Sequence, residues 1–145
     1  MQCRPLARIT SAGQRNDPLA FLPLMKQLAI AQPAGGRPRT RPGRLLGDKA
    51  YSSAAIRAHL RRRGIKATIP QPSDQIRNRH RRGRAGGRPP AFDPIAYRDR
   101  NTIERAFSQL RQHRAVATRY DKRDFIWRGT IDVATIKIWL RHPVP

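Results

Sequence analysis

Two short apolar runs, Arg44–Gly47 and Lys66–Ile69, lie on either side of one segment long enough for a single helix. Ser52 or Ser53 is placed to cap that helix, because a serine oxygen accepts from the free amides of a first turn. Ala55, Ile56, His59 and Leu60 follow at helical spacing as its inner face, and Gly64 is placed to end it. Pro70 and Pro72 stop the second run, since proline donates no ladder hydrogen bond. Strand, helix, strand in this order implies a parallel pair, because a helical crossover returns the chain in the same direction. The chain therefore reads as α/β.

Other segments are less constrained. Leu6–Thr10 alternates weakly and reads as a short strand ending at a Ser11–Gly13 turn. Asp17-Pro18 predicts a helix start, with Leu19, Leu22, Leu24, Met25 and Leu28 on the apolar side. Gln32 to Gly43, with three prolines and three glycines, reads as a loop. Arg77, Arg79, Arg81, Arg82, Arg84 and Arg88 fall in a glycine-containing stretch without apolar periodicity, predicting a flexible basic loop at about 70–98. From Thr102 a helix is expected through Ile103, Ala106, Phe107 and Leu110. A last helix is expected over Phe125–Arg141, apolar through Ile126, Ile131, Ala134, Ile138 and Trp139. The 145 residues suit one domain, 1–145, and a hydrophobic fraction of 38% allows only a modest core.

Charge narrows the partner. Thirty-one basic residues against nine acidic ones leave a net charge of +22, and such self-repulsion disfavours compaction unless a polyanion neutralises it. A GC-rich genome, favouring Arg and Pro codons, accounts for part of this excess. DNA is the expected polyanion, because arginine forks match phosphate oxygens and each neutralised phosphate releases counterions. No stretch has the apolar length of a transmembrane helix, and none joins a basic face to a wide apolar one, so no membrane partner is expected. The N-terminus lacks a secretory apolar region, and the single Cys3 forms no internal disulfide; a cytoplasmic, nucleoid-associated protein is expected.

Carboxylates are scarce, so their positions carry information. Asp48 directly follows the Leu45-Leu46-Gly47 run, at the end of the first strand. Glu104 lies on the later helix. Each has a structural alternative: an acid after an apolar run also serves as a cap or turn former, and Arg100 stands one helical turn before Glu104 as a pairing partner. His59, His80, His113 and His142 have no mutual metal spacing, and Tyr51 and Tyr120 suit either a core or a DNA-facing position.

With their neighbours the two acids say more. Gly47-Asp-Lys-Ala-Tyr-Ser-Ser53 resembles the second-aspartate motif of DDE-type insertion-sequence transposases. Arg100-Asn-Thr-Ile-Glu-Arg-Ala-Phe-Ser-Gln-Leu-Arg111 resembles their glutamate motif, and Ala117–Lys122 its usual continuation. Thr10–Asp17 and Gly86–Phe92 are similar to further stretches of the family, so the resemblance runs in order over nearly the whole chain. It implies an incomplete ribonuclease-H-like fold, with a short mixed or parallel sheet flanked by helices. It also implies Mg2+ as cofactor, with Asp48 and Glu104 as catalytic and metal-binding acids, and Arg100, Arg105 and Arg111 available to phosphate beside the Arg77–Arg88 set. In the family the first aspartate precedes the segment that Leu6–Thr10 resembles. The resemblance therefore implies an N-terminally truncated domain, with unpaired strand edges and a poorly anchored N-terminal segment.

Three functional expectations follow. The first is the C-terminal part of a transposase, completed by an upstream segment from an adjoining reading frame, with homo-oligomerisation left open. The second is a catalytically inactive DNA-binding remnant. The third is an unrelated basic nucleic-acid-associated protein, which the serial motifs oppose.

Overall fold

The computed structural model describes residues 4–11 and 16–141. Cys3, His142 and most of the turn expected at Ser11–Gly13 lie outside them. The chain, whose length suggests one domain, is built from two compact units: residues 15–100, and residues 1–14 with 101–145.

In the first unit a 3-10 turn, Asp17–Ala20, leads into helix α1 (Phe21–Gln27). The expected helix start is present, but Asn16 precedes it and Asp17 stands inside the turn. The apolar side is only partly as expected. Met25 is buried as read, Phe21 one turn before it is buried as well, and Leu19, Leu22 and Leu24 face outward. Strand β1 (Arg44–Leu46) pairs in parallel with β2 (Lys66–Thr68) in the register Arg44↔Lys66, Leu45↔Ala67, Leu46↔Thr68. The ladder extends beyond both ends, with the Lys66 amide donating to the Gly43 carbonyl (3.1 Å) and the Gly47 amide to Thr68 (3.3 Å).

Helix α2 (Ala54–Arg62) makes the crossover. Of the two candidate caps the structure uses Ser53, whose oxygen accepts from the Ile56 amide at 3.2 Å. At the other end Gly64 takes φ 62°, a left-handed conformation in which glycine carries no Cβ penalty. The Gly64 amide donates to Arg61 and the Ile65 amide to Leu60, satisfying two carbonyls of the last turn. Leu60 and Ile65 then meet in the core with Phe21, Met25, Ile56 and Ile69, against Leu45, Tyr51 and Ala67. Ala55, expected inside, is exposed. A small parallel sheet covered by helices is the architecture expected of an incomplete ribonuclease-H-like domain, and each described strand has one partner, leaving its other edge unpaired.

The stretch read as a loop contains helix α3 (Ser73–Arg81), a 3-10 turn (Gly83–Gly86) and a short helix α4 (Pro94–Tyr97). Sequence periodicity misses α3 because it buries no apolar face. It is held through polar groups: the Arg79 guanidinium donates to Gln71 Oε1, and Gly86 lies against the Arg79 carbonyl so closely that a Cβ there would collide with its oxygen.

The second unit contains helices α5 (Asn101–Arg111), α6 (Arg114–Thr118) and α7 (Asp124–Arg141). The N-terminal segment belongs here, and two expectations about it are corrected. Residues 6–10 form no strand. Nor is the segment poorly anchored, because polar groups fix it along α7. Trp139 Nε1 donates to the Pro5 carbonyl (3.0 Å), and Arg8 forms a two-point ion pair with Asp132. The Thr10 hydroxyl donates to Asp124 (2.6 Å) while accepting from Arg128 Nε (2.9 Å). Helix α7 buries Ala134 and Ile138, but Val133, Ile136 and Leu140 form an opposite, outward stripe.

Candidate functional site

The strand-to-helix junction after β1 holds Asp48. Its Oδ1 accepts from the Ala50 amide at 2.9 Å and caps the 3-10 turn Lys49–Tyr51, so the capping role open in the sequence is realised. The carboxylate is half-buried and fixed by its own backbone at the end of the parallel ladder. Ligand crevices in α/β sheets lie at such strand ends. Asp17 approaches the same region from the preceding turn. Burial pushes the Tyr51 phenol up from its ordinary value, and the negative charges of Asp17 and Asp48 push it the same way.

Behind this junction lies a polar connection. Arg57 Nη2 donates to Ser52 Oγ and to the Ile69 carbonyl, both at 2.8 Å, and Ser52 Oγ donates to Gln75 Oε1 at 3.0 Å. The guanidinium of Arg57, whose pKa burial lowers, joins α2 to the Asp48 turn and the end of β2, and Ser52 carries the connection on to α3. A single arginine in a chain with so many gives no sequence signal for this role.

Glu104 is exposed in the first turn of α5, where the positive end of the helix dipole favours an acid. Phe107 and Arg111 share its face at i+3 and i+7, and Arg111 lies about 10.5 Å farther along the axis. Arg105 is exposed and donates to Thr102 Oγ1 (3.2 Å). Glu104, Arg105 and Arg111 belong to one compact unit, Asp48 and Arg100 to the other.

Among the described residues no group of three or more His, Cys, Asp or Glu side chains could hold a metal ion. Asp48 and Glu104 are hard oxygen donors of the right kind for a divalent ion. They are two donors, however, and the described residues do not by themselves complete a three-carboxylate site.

The basic residues separate into two kinds. Arg77, Arg81, Arg82, Arg84 and Arg88 are exposed. Arg79 is half-buried and bonded to Gln71 and His80, a brace for α3 rather than an open cation. Sequence reasoning also missed the Phe92–Tyr97 ring pair, with centroids 5.2 Å apart. An aromatic near exposed arginines was its available signal. No helix among the described residues is long and apolar enough to cross a membrane.

Comparisons with known proteins bear on the chain as a whole. Residues 3–131 match the family model described as the transposase DDE domain. Over 99 residues, 68% of each chain, the sequence is 30% identical to a Brucella ovis protein named "Putative transposase for insertion sequence element IS6501". No solved structure gives a significant match. Matched over most of its length, the chain belongs to the transposase DDE domain family.

Proposed function

We propose that this protein works in DNA transposition as the part of a DDE transposase that carries the second and third acids. Asp48 stands for the second aspartate and Glu104 for the glutamate, and a third carboxylate comes from another polypeptide segment. The observation that carries this reading is the placement of Asp48. It sits half-buried at the end of a parallel strand pair, inside a family match that also includes Glu104. The family's chemistry implies a divalent ion, Mg2+ in this reading, and carboxylates are the donors such an ion prefers. With two of its acids here, the chain contributes ligands and a DNA-gripping surface rather than a complete catalytic centre.

The grip comes from the exposed arginines of 77–88, with Arg100, Arg105 and Arg111 as further phosphate contacts. Contacts of this kind are indifferent to sequence and strongly salt-dependent. Measuring affinity for duplex DNA against salt tests the reading. Replacing Arg81, Arg82 and Arg84 together by Ala should weaken binding and flatten the log–log salt slope by about 0.9 per lost contact, while Arg79→Ala should act through stability. An affinity that hardly changes with salt, or a triple variant that binds like the wild type, rejects phosphate gripping by this segment.

A second reading, a DNA-binding remnant without catalysis, is favoured by the lack of a three-acid cluster among the described residues. It shares the DNA-binding behaviour and departs from the first when the missing acid is supplied.

A further inference from the structure

Phe92 is 44% exposed and Ile95 77% exposed, on and just before the short helix α4, in one of the most cationic parts of the chain. The Phe92 ring thus keeps close to half of its surface in water beside charged groups. It is nevertheless held in a defined place. The Phe92 and Tyr97 rings stand 5.2 Å apart at an interplanar angle of 56°. Asp93, between them in sequence, caps α4 through its Oδ1, which accepts from the Ala96 amide at 2.9 Å. Its Oδ2 accepts from Arg44 Nη1 at 2.6 Å. Arg44 opens strand β1, the strand that leads to Asp48, so the ring pair is fastened to the sheet rather than carried on a free loop.

The charge of the flanking sequence points to what such a ring would receive. Arg84 and Arg88 precede it in sequence and Arg98 follows, all three exposed. A backbone of phosphates satisfies these cations, and a nucleobase offers the π-face that a ring can stack on. Bases within a duplex present only their edges, because their faces are stacked on one another. Resting on the DNA-binding reading above, we infer that Phe92, backed by Tyr97, is a stacking platform for an unpaired base. The neighbouring arginines hold the flanking phosphates. This surface thus prefers single-stranded or locally opened DNA, whereas the α3 arginines grip any phosphate backbone.

The test is fluorescence anisotropy of the full chain with one labelled oligonucleotide, presented single-stranded and as its duplex, over a salt series. Phe92→Leu keeps an apolar side chain against Tyr97 but removes the π-face. It should weaken single-strand binding by about tenfold, leave duplex affinity unchanged and leave both salt slopes unchanged. Tyr97→Phe, which keeps the ring, should bind both forms like the wild type. Phe92→Leu binding single strands as tightly as the wild type overturns the platform while the phosphate grip stands. An equal loss on both forms also overturns it, since the ring then acts through the fold. If the wild type binds neither form, the DNA-binding reading fails and the platform fails with it.

Discussion

A half-buried guanidinium costs free energy unless its N–H groups find acceptors, and Arg57 donates to acceptors on two elements at once, Ser52 Oγ and the Ile69 carbonyl. Arg57→Ala leaves both without their donor and should destabilise the fold by about 1–3 kcal/mol in denaturant unfolding. Arg57→Lys should recover only part, because a single ammonium does not reproduce a planar fork. Unchanged stability in the alanine variant would show that the connection is dispensable. Asp93 makes a pH prediction. The Ala96 amide and the Arg44 guanidinium hold its carboxyl below the usual carboxylate range. The unfolded chain therefore takes up this proton first as pH falls. The contribution is complete above the ordinary value of about 3.9 and is lost as pH drops through the lower folded value. Asp93→Asn should remove that part of the acid limb and leave the neutral region flat, as read by thermal unfolding against pH. An unchanged acid limb contradicts the assignment.

At the scale of elements, how far the sequence could be read depended on how local the signal was. Strands β1 and β2, helix α2 and its Gly64 stop were legible, and its cap was narrowed to Ser52 or Ser53, because each rests on neighbours a few residues away. Helix α1 was legible as an element and in Met25, but the leucines expected beside it face outward and Phe21 takes the inner position instead. Helix α3 was invisible, since no apolar periodicity marks a helix held by Arg79, Gln71 and the close approach of Gly86. The Leu6–Thr10 strand failed for a different reason: alternation proposes a strand, but a strand also needs a partner, and these residues lie along α7 instead. Helix α7 separates burial from hydrophobicity most clearly. Ile138 is 3% exposed and Leu140 is 73% exposed. Ile138→Ala should cost about 2 kcal/mol or more, whereas Leu140→Gln should stay within about 0.5 kcal/mol of the wild type. Equal losses in thermal or denaturant unfolding would mean that the outward stripe supports the fold after all.

Across the whole molecule, an excess of 31 basic over nine acidic residues makes each carboxylate's use visible. Asp93 and Asp132 are committed to ion pairs that hold elements together, and Asp124 pairs within α7 with Arg128 while accepting from Thr10. Asp48 caps its turn beside Tyr51, and Glu104 opens α5. These last two were legible as candidates because their neighbours matched a family pattern. That they fall in separate compact units could not be seen from spacing, which orders residues without grouping them. A misplacement of about 1 Å in a catalytic arrangement can already cost about a hundredfold in rate, so on the reading proposed above Asp48 and Glu104 need a third, well-placed carboxylate for measurable chemistry. The direct measurement is DNA-end cleavage and strand transfer in magnesium or manganese. It compares the chain alone with the chain fused in frame behind a family segment bearing the first aspartate. No product is expected from the chain alone. Product is expected from the fusion, and Asp48→Ala or Glu104→Ala should each abolish it. Robust cleavage by the isolated chain, lost in Glu104→Ala, would contradict the need for an outside carboxylate and show that another acid of this chain completes the site.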